Sequence, residues 1–141
     1  MLSVKGSVRR GEWKTFLPFS SIIFFLVFLD QASKILVKTI GGKTYCNRGV
    51  AFGFFPGESW TALVIMMIFF VLVAYKIADK ILDSKIPMAL ILGGGISNLI
   101  DRGRLGCVMD FINLQVWPVF NAADVMVCAG VISLVFLSLK K

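Results

Sequence analysis

Two aspartates, Asp110 and Asp124, are the residues of this sequence best suited to catalysis. An aromatic-rich connection that is too short to form a domain separates them. Asp124 opens the last long apolar run, where a charged side chain is costly. Two carboxylates that are held close together cannot both ionise cheaply, so they share a proton and can activate a water molecule. We therefore predict that Asp110 and Asp124 act as one acid–base pair.

The composition restricts both the class of protein and its chemistry. Of the 141 residues, 57% are hydrophobic and 16% are charged, which is typical of an integral membrane protein whose single domain takes the whole length. The chain has no histidine, the usual general base of serine and cysteine hydrolases, so carboxylates or a lysine must supply any acid–base chemistry. The three cysteines follow no CxxC spacing, and we predict no metal site and no cofactor.

The cations predict how the chain is oriented and argue against a nucleic-acid partner. The net charge of +7 lies mostly between apolar runs instead of on one polar face. Nine Lys and Arg residues fall on the side of the two termini and five on the other, so the positive-inside rule predicts cytoplasmic termini and four crossings. The polar residues that could build a site then fall at or near the extracytoplasmic side: Asp30, Asn47, Asn98, Asp101, Asp110, Asn121 and Asp124.

The elements that must position these residues are membrane-spanning helices and two segments outside the membrane. The apolar runs predict an integral membrane, mainly α fold with four transmembrane helices, at about residues 17–37, 60–77, 88–101 and 121–139. The extracytoplasmic segments are about 41–58 and 102–120, and the first of them predicts a small sheet or cradle. The first apolar run ends in polar residues rather than in a small-residue cleavage site, which favours a retained helix over a signal peptide.

Helical spacing puts several polar residues on shared faces. Asp30 and Lys34 are four residues apart and can pair, either as an interfacial ion pair at the outer end of the helix or as part of a site inside the bundle. Asn98 and Asp101 are three apart, with Arg102 beside them. These three residues predict either part of a site or a charged cap at the outer surface.

Turn and cap residues also keep two interpretations open. Asn47 either caps a turn in the first extracytoplasmic segment or orients the backbone of a substrate. Asn121 suits the N-cap of the last helix. A plain cap explains Asp124 less well, because a capping box would rather use Glu or Gln there. The glycines at 93–95 permit close packing between helices in the membrane.

Five motifs follow one another along the chain: DQASK (30–34), NRGVAF (47–52), GGGISNLIDR (93–102), VMDF (108–111) and FNAAD (120–124). In this order they resemble the motifs of the lipoprotein signal peptidases (signal peptidase II). The resemblance covers nearly the whole chain, and the five motifs together are far more specific than any one of them. That family consists of bacterial inner-membrane aspartic endopeptidases, which cut the signal peptide from prolipoproteins just before a diacylglyceryl-modified cysteine.

The resemblance implies a role for each matched residue. Asp110 and Asp124 would be the catalytic dyad, and the other matched residues would bind the substrate or support the dyad: Asp30, Lys34, Asn47, Gly49, Asn98, Asp101, Arg102 and Asn121. It also implies four helices with a small extracytoplasmic β-cradle and a periplasmic helical segment. The protein would be a monomeric, multi-pass protein of the bacterial inner membrane, with its site toward the extracytoplasmic side. Its partners would be a lipid-modified prolipoprotein and membrane lipids.

Two departures from the family and one alternative function complete the expectations. Ser97 stands where the family commonly has glycine, so the helices are expected to pack more loosely there. The connection between Asp110 and Asp124 is short, so its periplasmic helix is expected to be reduced. The alternative function is a small transporter or channel with Asp30, Asp101 and Asp124 along an ion path, but that function predicts acids spread through the membrane depth.

Overall fold

The computed structural model describes residues 13–49 and 85–139 of the chain. The elements within these residues are, in order, α1 (Trp13–Thr39), β1 (Tyr45–Asn47), α2 (Lys85–Leu105), β2 (Val108–Asp110) and α3 (Ala122–Leu139). The described part is mainly helical with one small sheet, as the sequence predicts. The predicted span at about 60–77 and the part of the 41–58 segment after Gly49 lie outside the described residues.

The three described helices correspond to three of the predicted spans, and each begins and ends within about four residues of the prediction. Part of α1, Pro18–Thr39, has 22 residues and a mean hydropathy of 1.7, and among the described helices it alone is long and apolar enough to cross a membrane. Its large apolar side chains point outward, and Phe24, for example, is 74% exposed. Such an apolar surface is suited to contact with lipid.

Two glycines end α1. Gly41 adopts a left-handed conformation with φ 73°, and the backbone N–H of Gly42 donates to the carbonyl of Val37 at 2.8 Å. This arrangement is a Schellman cap, which satisfies carbonyls of the last helical turn. The chain then leaves the helix toward β1.

Glycines of α2 allow close packing against the other two helices. A Cβ atom at Gly93 would lie 2.9 Å from the side chain of Leu26 in α1. A Cβ atom at Gly94 would collide with the backbone carbonyl of Ala123 in α3. Any larger residue at position 94 would therefore push α2 and α3 apart, and the predicted close approach at these glycines is confirmed.

Strands β1 and β2 form a two-stranded antiparallel sheet. Its register pairs Tyr45 with Asp110, Cys46 with Met109, and Asn47 with Val108. The sheet confirms the prediction of a small sheet in the segment at about 41–58. Strand β2 has too few residues to show an alternating pattern in the sequence.

A disulfide joins β1 to the residue just before β2. It joins Cys46 to Cys107, whose Cα atoms are 5.5 Å apart although 61 positions separate them in the sequence. The third cysteine, Cys128, is free and exposed on α3. The spacing of the cysteines argues against a metal site but gives no sign of this covalent bond.

The connection between Asp110 and Asp124 folds back on itself. Ile112 and Phe120 form an isolated antiparallel bridge, with N···O distances of 2.8 and 3.1 Å. Residues 111–121 are all described and contain no helix, so the periplasmic helical segment that the resemblance implies is absent from this connection. The connection is too short for such a helix once its ends are paired, and the bridge returns the chain to the end of β2.

Candidate active site

Strand β2 delivers Asp110 to the interior of the protein, where the residue is 1% exposed. Asn47 on β1 donates a hydrogen bond from Nδ2 to Oδ2 of Asp110 at 3.0 Å. Asn121 donates from Nδ2 to Oδ1 of the same carboxylate at 2.7 Å. Each oxygen of Asp110 therefore accepts a hydrogen bond from a neutral amide group.

The first turn of α3 delivers Asp124. The N-cap residue, Asn121, accepts the backbone N–H of Asp124 at its Oδ1 at 3.0 Å, and Oδ2 of Asp124 accepts the backbone N–H of Asn121 at 3.1 Å. This is a reciprocal capping box with Asp in the place of Glu or Gln. The expectation that a cap explains Asp124 poorly is therefore wrong. One carboxylate oxygen makes the cap, and the other accepts a hydrogen bond from Asn98 at 2.9 Å.

Asn121 connects the two carboxylates directly. Its side-chain amide holds Asp110, and its backbone N–H holds Asp124. The same side chain also donates to Oδ1 of Asn98 at 3.1 Å, and Asn98 donates onward to Asp124. We call Asp110 and Asp124 the amide-held pair, because each of their four carboxylate oxygens accepts a hydrogen bond from an amide group of an asparagine.

A second pair of carboxylates surrounds a lysine. Nζ of Lys34 lies 2.6 Å from Oδ2 of Asp30 and 2.7 Å from Oδ2 of Asp101. All three residues are buried, so Lys34 lies inside the bundle and not in the interface with lipid. Asp101 turns toward Lys34 and forms no cap at the outer surface with Arg102. We call Asp30, Lys34 and Asp101 the Lys34 cluster.

The Lys34 cluster holds the backbone next to each member of the amide-held pair. Oδ1 of Asp30 accepts the backbone N–H of Ala123 at 2.8 Å. Oδ2 of Asp101 accepts the backbone N–H of Met109 at 3.1 Å. Each of these amides directly precedes one aspartate of the pair. Nζ of Lys34 also reaches Oδ1 of Asn98 at 3.4 Å, so the cluster and the pair form one continuous network.

Gly49 and Arg102 lie beside this network. Nη2 of Arg102 donates to the carbonyl of Gly49 at 2.8 Å, and the N–H of Gly49 donates to Oδ1 of Asn47 at 2.9 Å. Asn47 therefore caps its own turn, which confirms the first interpretation of this residue, and it also binds Asp110. That it orients the backbone of a substrate stays a prediction. Arg102 is 7% exposed, and its Nε finds no acceptor among the described residues.

Burial raises the pKa of Asp110 from its ordinary value of 3.8 to about 6. The negative charge of Asp124 also raises it, whereas the hydrogen bonds from Asn47 and Asn121 and the charge of Lys34 lower it. A carboxyl group with a pKa in this range exchanges its proton readily close to neutral pH. The amide-held pair can therefore contain one protonated and one ionised carboxyl group.

Comparison with known families decides what kind of protein contains this network. The model of the family described as signal peptidase (SPase) II matches residues 22–140, which include every residue named above. The chain belongs to the signal peptidase II family.

Relatives in this family and solved structures agree with that assignment. The lipoprotein signal peptidase of Syntrophomonas wolfei subsp. wolfei is 40% identical over 116 residues, which cover 79% of this chain and 78% of the relative. That of Moorella thermoacetica is 35% identical over 136 residues, with coverages of 84% and 90%. A solved bacterial membrane enzyme structure is similar with a TM-score of 0.74 and 26% identity, over 87% of this chain and 88% of the other.

Two further residues of this signal peptidase II family member, Gln31 and Ser97, belong to the network although the sequence analysis gave neither of them a role in the site. Nε2 of Gln31 donates to Oδ1 of Asp101 at 2.8 Å and to Oγ of Ser97 at 2.9 Å. Oγ of Ser97 in turn donates to Oδ2 of Asp30 at 2.7 Å. The expectation of looser packing at Ser97 is wrong, because its hydroxyl ties α1 to α2. Helical spacing could have found Gln31, which lies three residues before Lys34 on the same face.

Proposed function

We propose that this member of the signal peptidase II family is a membrane aspartic endopeptidase. It cuts the signal peptide from diacylglyceryl-modified prolipoproteins just before the lipidated cysteine. The observation that carries the proposal is the amide-held pair, which is joined through Asn121 and has no ion-pair partner within the described residues. The relatives are named lipoprotein signal peptidases, which supports this class of substrate.

The proposed mechanism uses one proton shared by Asp110 and Asp124. The ionised carboxylate takes a proton from a water molecule, and the water oxygen attacks the carbon of the scissile carbonyl. The protonated carboxyl group donates its proton to the carbonyl oxygen, which gives a neutral tetrahedral intermediate. When the intermediate collapses, the C–N bond breaks and the leaving amine takes the proton that the water gave up. The carbonyl oxygen returns its own proton, and the pair again holds one proton.

The remaining residues of the network would support or bind rather than react. Three asparagines orient the carboxylates, and we assign them to support: Asn47, Asn98 and Asn121. The Lys34 cluster supports the backbone on which the pair is mounted. Arg102, beside Gly49, has a buried Nε–H without an acceptor among the described residues, so it is suited to bind a carbonyl oxygen of the substrate.

The proposed topology has four transmembrane helices in a single membrane domain, cytoplasmic termini, and the site toward the extracytoplasmic side of the bacterial inner membrane. The distribution of cations supports it. The disulfide supports it independently, because Cys46 and Cys107 lie in the two segments that were expected to be extracytoplasmic. Disulfides form and persist in oxidising compartments and are rare in the cytoplasm.

The proposed enzyme works as a monomer surrounded by membrane lipids. One chain supplies every group of the network, so no residue from a second copy is required, and the outward apolar side chains of α1 suit lipid contact. No observation favours the transporter or channel. Two of its three acids, Asp30 and Asp101, are ion-paired with Lys34 and hold the backbone instead of lining a path.

Cleavage by the purified protein in detergent tests the proposal. The substrate is a prolipoprotein carrying the diacylglyceryl group, and the same prolipoprotein without the lipid is the matched control. We expect cleavage just before the lipidated cysteine and far slower cleavage of the control. Absence of cleavage by protein that is folded and monodisperse, or equal cleavage of both substrates, would contradict the proposed function.

A further inference from the structure

The disulfide lies beside the active site, so a small movement of either strand that it joins would displace a residue of the site. Cys46 directly precedes Asn47 in β1, and Cys107 directly precedes β2, which ends in Asp110. In the register of the sheet, Cys46 pairs with Met109, so the bond crosses the two strands diagonally. The covalent bond therefore connects the strand that carries the Asn47 donor to the strand that carries the Asp110 acceptor.

Little else fixes β1 to the rest of the described protein. The strand has three residues, of which Tyr45 and Cys46 are exposed, whereas Val108 and Asp110 of β2 are buried. An isolated pair of strands is marginally stable at best. Besides the sheet and the hydrogen bond from Asn47 to Asp110, the described contacts that hold this segment are the disulfide and the hydrogen bond from Arg102 to Gly49.

The geometry points to the Cys46–Cys107 disulfide as a positioning element of the active site. It keeps the amide of Asn47 on Oδ2 of Asp110, so cleavage is faster in the oxidised enzyme than in the reduced one. Both cysteines act through Asn47, whose side-chain amide donates to Asp110. This inference rests on the proposed peptidase function.

Reduction by a small dithiol provides a reversible way to remove the tether. A thiolate of the dithiol attacks Sγ of the exposed Cys46, the S–S bond breaks, and Cys107 leaves as a thiolate that takes a proton. The second thiolate of the dithiol then attacks the mixed disulfide and releases Cys46, which is protonated in turn. Two electrons pass to the protein, and the dithiol becomes a cyclic disulfide.

The chain offers its own control for cysteine substitution. Cys128 is free and exposed on α3, away from the sheet. We expect Cys46→Ser, Cys107→Ser and the double variant to lose about tenfold in turnover, which is the effect of weakening one hydrogen bond at the site. The double variant should be no worse than either single variant, because each breaks the same bond. Cys128→Ser should retain wild-type turnover.

Treatment of folded wild-type enzyme with dithiothreitol avoids any effect of the variants on folding. Labelling with maleimide should find one thiol before reduction and three after it. Reduction should lower wild-type turnover to the level of the double variant and should leave the double variant unchanged. Three reactive thiols in the untreated enzyme, or unchanged turnover after complete reduction, would overturn the inference. Loss of cleavage in the oxidised wild-type enzyme would instead contradict the proposed function.

A comparison with Asn47→Ala separates positioning from general structural support. If the disulfide acts through Asn47, the residual turnover of Asn47→Ala should no longer respond to dithiothreitol. A response as large as that of the wild-type enzyme would show that the disulfide acts by another route and would overturn the assignment.

Discussion

Asp30 and Asp101 are held by a lysine, whereas Asp110 and Asp124 are held by asparagines. In the Lys34 cluster, one cation lies within 2.7 Å of an oxygen of each carboxylate, so the two buried carboxylates share one positive partner. In the amide-held pair, the donors are neutral and no cation is within salt-bridge distance among the described residues. Both pairs belong to one hydrogen-bond network and use the same functional group.

This difference is what we expect between a structural pair and a reactive pair. A carboxylate beside a cation keeps its charge and is a poor proton carrier, whereas burial beside a second acid raises the pKa toward the range in which protons exchange. The Lys34 cluster uses its fixed charges to bind the backbone amides of Ala123 and Met109. The charged Lys34 cluster thus holds the backbone beside each carboxyl group of the amide-held pair.

The largest effect is expected from the amide-held pair itself. Asp110→Asn or Asp124→Asn should each lower turnover by at least about a thousandfold, because the pair needs one acid and one base. The protein should still insert and fold, since Asn has almost the same shape. Initial rates on diacylglyceryl-modified prolipoprotein measure the loss, and the double variant should be little worse than either single one. Near-normal turnover in one single variant would refute the assignment of that residue.

Among changes to the Lys34 cluster, removal of the lysine should cost the most stability. Lys34→Ala leaves two buried carboxylates without their cation and should cost about 3–5 kcal/mol of stability, with a parallel loss of turnover. Asp30→Ala should cost less, because Lys34 keeps Asp101. The double variant should be less harmful than the sum of the two, as unfolding in detergent and cleavage rates can establish. Normal cleavage and unchanged melting in both single variants would contradict a buried supporting role.

The pH dependence of the pair should respond to Asn47. Cleavage needs one proton on the pair, so kcat/KM should fall as the pH rises through the pKa of Asp110, about 6. Asn47→Ala removes a hydrogen bond that lowers this pKa, so the alkaline limb should move to higher pH and the maximal rate should fall by about tenfold. The other groups that act on Asp110, namely Asn121, Asp124, Lys34 and Arg102, stay in place.

Asn113→Ala is the matched control for that experiment, because Asn113 binds only the backbone of Gln115 in the exposed connection among the described contacts. Its pH profile should equal that of the wild-type enzyme. If the alkaline limb of the kcat/KM profile stays in place or moves to lower pH in Asn47→Ala, Asn47 does not stabilise the ionised carboxylate of Asp110.

A smaller effect is expected from the hydroxyl that links α1 to α2. Ser97→Ala removes a donor from Asp30 and an acceptor from Gln31, and it should cost about 2 kcal/mol of stability with only a modest loss of turnover. Ser133→Ala is the control, since its hydroxyl bonds the carbonyl of Ala129 within its own helix. Equal unfolding free energies for the two variants would show that the hydrogen bonds of Ser97 do not stabilise the protein.

Chelation should have no effect. Every carboxylate oxygen of the amide-held pair accepts a hydrogen bond from an N–H donor, and such donors repel a metal ion at those positions. Turnover should therefore be the same with and without EDTA. A loss that a divalent ion restores would contradict acid–base catalysis by the pair alone.

The sequence by itself determined the class of protein and the approximate bounds of the three described helices, and it singled out the two aspartates that we propose as catalytic. Apolar runs are long enough to be read without a structure, since lipid demands continuous apolar surface. The absence of histidine directs attention to carboxylates, and Asp124 at the start of an apolar run is conspicuous. Helical spacing also predicts that Asp30 and Lys34 share a face, because that relation is local.

The tertiary structure alone decided which partner each carboxylate has. Lys34 binds Asp101, 67 positions away, as closely as it binds Asp30, and no local spacing could predict that contact. Strand β2 and the disulfide likewise depend on segments that are distant in sequence and meet only after folding. The sequence can therefore name the acids. Whether an acid is a fixed charge or a proton carrier depends on burial and on neighbouring charges, which exist only in the folded protein.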